Sequence, residues 1–222
     1  GLKSWPGDEW KRGGGAQWGW ITYDPKLDLI YYGTGNLSTW SPRKRCKYKT
    51  SAECNNGTQD NKWSMTIFAR QPETGQAVWA YQKTPFDQWD YDGINENILT
   101  ELDGKPVLVN FDRNGFAYVL DRRDGTLLHA NKYVNVNWAE KIDMKTGRPI
   151  KVPEHGPFEV NKPVQAAPSA MGGKDQQPCA TDPKHPAIFC GPTNNWYMVD
   201  EPKERGAIMT CIPYFFANVS MK

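Results

Sequence analysis

Short apolar runs bounded by Gly, Pro and Asp recur along the whole chain, and they alternate with polar turns. Examples are "WGWITYDP", "LIYYGTG" and "AIFCGPTNNWYMVD". Runs of this length, rich in Val, Ile, Tyr and Trp, are typical of β-strands. No segment spaces its apolar residues as an amphipathic helix would. The pattern therefore predicts an all-β chain.

One pattern repeats within these runs: an apolar strand, a charged turn that ends in Gly, and a second strand. The three copies are "FARQPETGQAVWAY", "VLDRRDGTLLHA" and "KIDMKTGRPIKV", with their glycines at Gly75, Gly125 and Gly147. Each glycine can adopt the positive φ that a tight hairpin needs. The chain is therefore predicted to be built from β-hairpins.

The spacing of the first two copies suggests a β-propeller. Fifty residues separate Gly75 from Gly125, in the range of one four-stranded blade. Gly147 is too close to mark another full period and is interpreted as a hairpin within an insertion. We expect about three blades, and three blades cannot close to protect their edges. Residues 1–222 are accordingly interpreted as a fragment of a single, larger propeller domain.

The stretch "PRKRCKYKTSAECNNGTQDN", residues 42–61, interrupts this pattern. It has no apolar periodicity and is predicted to be a surface loop. We expect it to be an insertion in the propeller.

Charge and hydropathy exclude two classes of partner. Lys and Arg number 27 against 25 Asp and Glu, a net charge of +2, so no nucleic-acid-binding surface is indicated. No apolar run approaches the length of about 18 residues that a membrane-spanning helix needs.

The five cysteines suggest two local disulfides. Cys46 and Cys54 bracket a polar loop, Cys179 and Cys190 flank the predicted hairpin turn "TDPKHP", and Cys211 is left over. This arrangement favours an oxidising compartment. The alternative is a set of free thiols in a cytosolic protein.

Two aspartates flank one tyrosine in "WDYDGINEN". On an extended strand Asp90 and Asp92 would point to the same side, with Tyr91 opposite. Such a pair raises one pKa unless a hard cation lies between the carboxylates. The sequence thus indicates a metal site, and the alternative is two solvated aspartates in a turn before Gly93.

The short D-x-D-G motif also resembles part of an EF-hand calcium loop. If Gly93 took the sixth position of that loop, the first would be Gln88 and the twelfth Leu99. Neither residue suits its position, so an EF-hand is excluded.

Three further residues are candidates for a binding site. Asn36 follows the turn in "YYGTGN", Trp18 follows three glycines in "GGGAQWGW", and Arg113 follows an apolar strand in "FDRNGFAYVLDR". They could supply an amide oxygen, a flat surface for a conjugated ligand, and a guanidinium for carboxylate or carbonyl oxygens. The alternatives are a turn asparagine, strand packing, and an ion pair with Asp112 or Asp121.

Taken in order, six motifs resemble the large subunit of the quinoprotein methanol dehydrogenases: "GGGAQWGW", "YYGTGN", "DNKWSMTIFARQPETG", "WDYDGINEN", "FDRNGFAYVLDR" and "AMGGKDQQP". The resemblance implies part of an eight-bladed propeller that binds pyrroloquinoline quinone (PQQ) and a metal. It further implies oxidation of a small primary alcohol in the periplasm, a c-type cytochrome as electron acceptor, and a homodimer. The family's metal-binding glutamate and paired cysteines would precede Gly1.

The resemblance also implies roles for single residues. Trp18 would form the floor under the quinone, and Arg113 and Asp175 would contact it. Asn36 and Asp90 would bind the metal, with Asp90 also the catalytic base. Asp92 resembles the additional metal ligand of the lanthanide-dependent branch, where the calcium branch has alanine.

Two alternative functions stay open at this point. One is a calcium-dependent or larger-alcohol quinoprotein dehydrogenase, although Asp92 argues against calcium. The other is a non-catalytic propeller scaffold that binds proteins. A scaffold gives no reason to gather Asn36, Asp90, Asp92 and Arg113 at strand ends, so the position of these four residues discriminates between the classes.

Overall fold

The regular structure of the chain consists almost entirely of antiparallel sheets. The computed structural model describes residues 1–182, 187–191, 194, 196–203 and 206–213. The first sheet comprises β1 (Ile21–Asp24), β2 (Leu29–Gly33), β3 (Thr66–Arg70) and β4 (Ala77–Gln82), paired in chain order. The second comprises β5 (Ile98–Leu102), β6 (Lys105–Phe111), β7 (Phe116–Asp121) and β8 (Leu127–Lys132), paired likewise. The predicted all-β fold with four-stranded blades is confirmed.

The remaining strands form three smaller sheets. They are β9 (Ala139–Asp143), β10 (Arg148–Lys151), β11 (Val164–Ala166), β12 (Cys179–Asp182), β13 (Ala187–Cys190), β14 (Trp196–Lys203) and β15 (Gly206–Pro213). Strands β11, β14 and β15 form one sheet in that order, whereas β9–β10 and β12–β13 are separate hairpins. With two four-stranded blades and this third sheet, the chain is a partial β-propeller.

The hairpin glycines have the predicted conformation. Gly75 between β3 and β4, Gly125 between β7 and β8, and Gly147 between β9 and β10 have φ of +69°, +77° and +68°. In both blade hairpins the glycine N–H donates to the residue four positions earlier, over 2.9 Å to the Gln71 carbonyl and 2.8 Å to that of Asp121. The repeated pattern in the sequence therefore encodes the same turn each time.

A buried apolar cluster joins the first two blades. Its members are Leu29, Tyr31, Ile67, Ala69 and Trp79 from the first blade and Leu108 and Leu120 from the second. The hydroxyl of Tyr31 and the indole N–H of Trp79 both donate to the Arg122 carbonyl, over 2.8 and 3.1 Å. The aromatic side chains thus bury their surface between the blades without leaving a polar group unpaired.

Residues 42–61 differ from the predicted surface loop. They contain two single-turn helices, α1 (Pro42–Arg45) and α2 (Ser51–Cys54). Ser41 caps α1, and Thr50 forms a capping box with Glu53 at the start of α2. The sequence did not predict these two helices, because local caps rather than apolar periodicity define them, and the interpretation of the segment as an insertion stays a prediction. Three further single turns are 3₁₀-helices, at Leu2–Ser4, Glu9–Arg12 and Pro153–His155.

Both predicted disulfides are present. Cys46 is bonded to Cys54, and Cys179 to Cys190 across the β12–β13 hairpin. Cys211 lies in β15, and its side chain is outside the described part of the chain. None of the helices that the structure describes is long and apolar enough to cross a membrane.

The inter-blade cluster predicts a position-dependent loss of stability. Leu120→Ala should lower the free energy of unfolding by about 2–5 kcal/mol, because it leaves a cavity between two packed blades. Leu102→Ala is the matched control, since Leu102 is among the exposed apolar residues, and should change stability by less than about 0.5 kcal/mol. Urea unfolding compares the two. Equal losses would show that the blades do not pack through Leu120.

Candidate active site

The predicted site residues lie in connections that meet at one edge of the blades. In an antiparallel meander all even-numbered strands end at the same edge. Asn36 follows β2, Asp90 and Asp92 lie between β4 and β5, and Arg113 follows β6. Trp18 precedes β1 and therefore lies at this edge too. Consecutive hairpins thus bring together residues that are far apart in the sequence.

Asp90 and Asp92 do not lie on a strand, contrary to the prediction. The connection between β4 and β5 has no regular structure, and Asp90 has φ of +66°. The carboxylates nevertheless converge on Asn36. The Nδ2 of Asn36 donates to the Oδ1 of Asp90 over 2.5 Å, and its backbone N–H donates to the Oδ1 of Asp92 over 2.8 Å. A folded loop, rather than strand alternation, produces the predicted pairing.

The side chain of Asp87 gives this loop its shape. Its carboxylate accepts hydrogen bonds from the backbone N–H groups of Trp89, Asp90 and Tyr91, over 3.2, 3.0 and 3.4 Å. One buried carboxylate therefore holds three consecutive amides and turns the chain so that Asp90 points to Asn36. The sequence analysis missed Asp87, although an aspartate that binds the amides after it is a common turn-former.

Arg113 connects Asp92 to Asp175. Its Nη1 lies 2.5 Å from the Oδ2 of Asp92 and 3.6 Å from the Oδ1 of Asp175. The alternative ion pairs considered from the sequence are not formed, because Asp112 pairs with Lys83 and Asp121 with Arg123. The guanidinium therefore lies among the carboxylates of Asp90, Asp92 and Asp175, which we call the acidic cluster.

A buried ion pair holds the connection that carries Asp92 and the connection that carries Arg113. Lys83 and Asp112 are in contact, and both side chains are fully buried. The Nζ of Lys83 also donates to the Gly93 carbonyl over 3.2 Å and to the Oδ1 of Asn110 over 2.9 Å. Because Gly93 follows Asp92 and Asp112 precedes Arg113, one ammonium group holds both connections. No local sequence pattern marks Lys83, since its partner is distant along the chain.

Trp18 lies beside the acidic cluster. Its side chain is 47% exposed. A Cβ atom on Gly35 would lie 2.9 Å from the Nε1 of Trp18 and 3.0 Å from the Oδ1 of Asp92. Only glycine at position 35 leaves room for this approach, so the indole of Trp18 and the carboxylate of Asp92 both pack against Gly35.

Burial raises the pKa of both acids, and neighbouring carboxylates add to the shift. Burial, followed by the carboxylates of Asp87 and Asp92, raises the pKa of Asp90 to about 7, against opposing effects of Arg113 and Asn36. Burial also raises the pKa of Asp92, and Arg113 opposes that shift. A cation between the two groups would remove the cause of the repulsion and keep both ionised.

The donor set fits a hard cation in part. Two carboxylates and one amide converge, and the described residues contain no group of three or more His, Cys, Asp or Glu side chains that could hold a metal ion. The Nε of Arg113 and the Oδ1 of Asp175 are buried without a hydrogen-bond partner. The Nε of Arg113 and the Oδ1 of Asp175 are therefore a donor and an acceptor for a polar ligand. The remaining metal-coordinating atoms of a cation site must come from other groups.

Residues 2–146 match the family model for the PQQ-dependent glucose/ethanol/alcohol dehydrogenase β-propeller domain, and the chain belongs to this family. It is 50% identical over 225 residues to a lanthanide-dependent methanol dehydrogenase of Methylacidiphilum fumariolicum (strain SolV), covering 100% of this chain and 35% of that protein. It is 45% identical over 197 residues to methanol dehydrogenase [cytochrome c] subunit 1 of Methylorubrum extorquens (strain ATCC 14718 / DSM 1338 / JCM 2805 / NCIMB 9133 / AM1), covering 86% and 30%.

Comparison with a solved structure also supports membership of this family. The chain is similar to a europium-containing methanol dehydrogenase with a TM-score of 0.84 and 47% identity, over 95% of this chain and 37% of that one. The chain thus spans about a third of the length of these relatives. The suspected resemblance to quinoprotein methanol dehydrogenases is confirmed at the level of the family.

The Lys83–Asp112 pair predicts a strong effect of removing one partner. Lys83→Met leaves Asp112 buried and unpaired, which should cost about 3–5 kcal/mol of unfolding free energy. Lys83→Met combined with Asp112→Asn should cost less than Lys83→Met alone. Lys26→Met is the control, because Lys26 pairs with Glu101 at the surface and should have little effect. Denaturant unfolding measures all three variants. If the double variant were no more stable than Lys83→Met, the pair would not act as described.

Proposed function

We propose that this chain is part of a PQQ-dependent alcohol dehydrogenase that oxidises a small primary alcohol, with methanol the leading candidate, and uses a lanthanide ion. One observation carries the proposal. Asn36, Asp90, Asp92 and Arg113 come from three separate connections and converge at one edge of the propeller. A scaffold that only binds proteins would have no reason to bury this set of charges.

Asn36, Asp90 and Asp92 would hold the cation. Their oxygen atoms are the ligands that hard cations prefer. Two neighbouring carboxylates, one buried and one half-buried, favour an ion of high charge, and this supports a lanthanide over calcium. In binding the ion, Asn36 would turn its Oδ1 inward in place of the Nδ2 that now donates to Asp90.

Trp18, Arg113 and Asp175 would hold the quinone. The half-exposed indole of Trp18 offers a flat apolar face. The unpartnered Nε of Arg113 can donate to a carbonyl or carboxylate oxygen, and Asp175 lies beside the same guanidinium. Together they would orient a planar acidic ligand above the indole.

Asp90 would accept the hydroxyl proton of the alcohol at a carboxylate oxygen. Bound PQQ and its cation would supply a hydride acceptor whose carbonyl is polarised by positive charge. The Asp87 carboxylate, which accepts the backbone N–H of Asp90, would keep Asp90 in place.

The electron acceptor, assembly and location follow the family as proposals. A c-type cytochrome would accept the electrons, as the name of the Methylorubrum extorquens relative states for that protein. The full-length protein would be a homodimer in the periplasm. The two disulfides support an oxidising location. Residues 1–222 would form one part of a single propeller domain, with residues 42–61 as an insertion.

The metal preference is tested in the full-length protein reconstituted with PQQ. Methanol oxidation should be activated by lanthanum or cerium far more than by calcium, and Asp92→Ala should abolish the lanthanide response because one ligand charge is lost. Asp8→Ala is the control, since Asp8 is exposed and pairs with Lys11 at the surface. Activity is measured as dye-linked turnover at increasing metal concentration. Equal activation by both metals in the wild type and in Asp92→Ala would refute the lanthanide assignment, and calcium activation alone would favour the calcium-dependent alternative.

A further inference from the structure

Arg45 is a buried cation that the proposed chemistry does not use. It ends helix α1, and its residue is 1% exposed. Burial lowers its pKa to about 10, so the guanidinium stays charged at neutral pH. A buried charge is costly unless every donor is satisfied, and the partners of this one lie in three different segments.

The first partners lie in the connection that carries Asn36. The Nη1 of Arg45 donates to the carbonyls of Thr39 and Trp40 over 2.8 and 3.3 Å. Its Nε donates to the Oδ1 of Asn61 over 2.9 Å. Arg45 therefore links Asn61, near the end of the segment between α1 and β3, to Thr39 and Trp40, which follow Asn36.

The last partner lies in the connection that carries Asp90. The Nη2 of Arg45 donates to the backbone carbonyl of Asp87, and the guanidinium lies 4.7 Å from the centre of the Phe86 ring. Asp87 is the residue whose carboxylate binds the N–H of Asp90 over 3.0 Å. A short path of contacts thus runs from Arg45 through Asp87 to Asp90.

A disulfide fixes the helix that carries Arg45. Cys46 follows Arg45 directly and is bonded to Cys54. Both cysteines are buried in one apolar cluster with Phe86 and Phe158. The cross-link closes the segment around α1 and α2, and the cluster holds it against the start of the Asp90 connection.

We infer that Arg45 is a positioning residue: it links the connection of Asn36 to the connection of Asp90, and the Cys46–Cys54 disulfide keeps it in place. Residues 42–61 then hold the connections of the site in place and are more than a surface loop. The effect on metal binding rests on the proposed function, whereas the effect on the loop does not.

The test compares Arg45→Met with Arg43→Met in the full-length protein. Arg43 belongs to the same helix and contacts Tyr48 at the surface, so both variants lose one guanidinium from α1. Hydrogen–deuterium exchange should become faster at the amides of residues 89–91 in Arg45→Met and stay unchanged in Arg43→Met. Affinity for europium(III), followed by its luminescence, should fall about 10–100-fold in Arg45→Met only, the usual effect of removing a group that orients a metal ligand.

Two milder variants keep the test decisive if Arg45→Met does not fold. Arg45→Lys retains the charge and loses the fork of donors, so it should give an intermediate increase in exchange. The double variant Cys46→Ser, Cys54→Ser should shift exchange and europium affinity in the same direction, because α1 is then released.

The outcomes separate this inference from the proposed function. Unchanged exchange at residues 89–91 in the folded Arg45 variants would overturn the positioning role. Faster exchange together with no europium binding by the wild type would support the positioning role and refute the lanthanide-dependent function. Europium binding that is equal in the wild type and in both Arg45 variants would overturn the link from Arg45 to the metal site.

Discussion

The site depends on holding the carboxylates of Asp90, which is half-buried, and Asp92, which is buried, next to Asn36. Burial raises the pKa of both Asp90 and Asp92, and the carboxylates of Asp87 and Asp92 add to that effect at Asp90. They remain in place because donors surround them: the amide and backbone N–H of Asn36 and the guanidinium of Arg113. Such an arrangement is poised to accept a cation, since positive charge replaces repulsion with attraction.

The support for this pair comes from groups that never touch a ligand. The Asp87 carboxylate shapes the loop through three amides, Lys83 holds the turn after Asp92, and Arg45 holds the Asp87 carbonyl. All three are buried and charged. The propeller brings the connections that carry the site residues to one edge. These buried side chains then fix the distances between the site residues at that edge. Preorganisation of this kind is what a metal site with several ligands requires.

The fold followed from local signals, whereas much of the site did not. A hairpin glycine such as Gly75, or a short polar segment between two cysteines, determines structure within a few residues. Such features can therefore be predicted from the sequence. The contact of Lys83 with Asp112 depends on how two connections fold together, and no local pattern marks it. The loop at Asp90 shows the same limit. Its predicted strand geometry was wrong because Asp87 overrides it, although the two carboxylates do converge on Asn36.

We propose that one cation lies between Asp90 and Asp92, and anomalous X-ray scattering would locate such an ion. Crystals of the full-length protein grown with PQQ and europium(III) should show a single strong anomalous peak. Oxygen atoms of Asp90, Asp92 and Asn36 should lie about 2.3–2.6 Å from that peak, the range for a large hard cation such as Ca²⁺. A peak bound elsewhere, or an Asp92 carboxylate that stays on Arg113 and makes no contact with the ion, would contradict it.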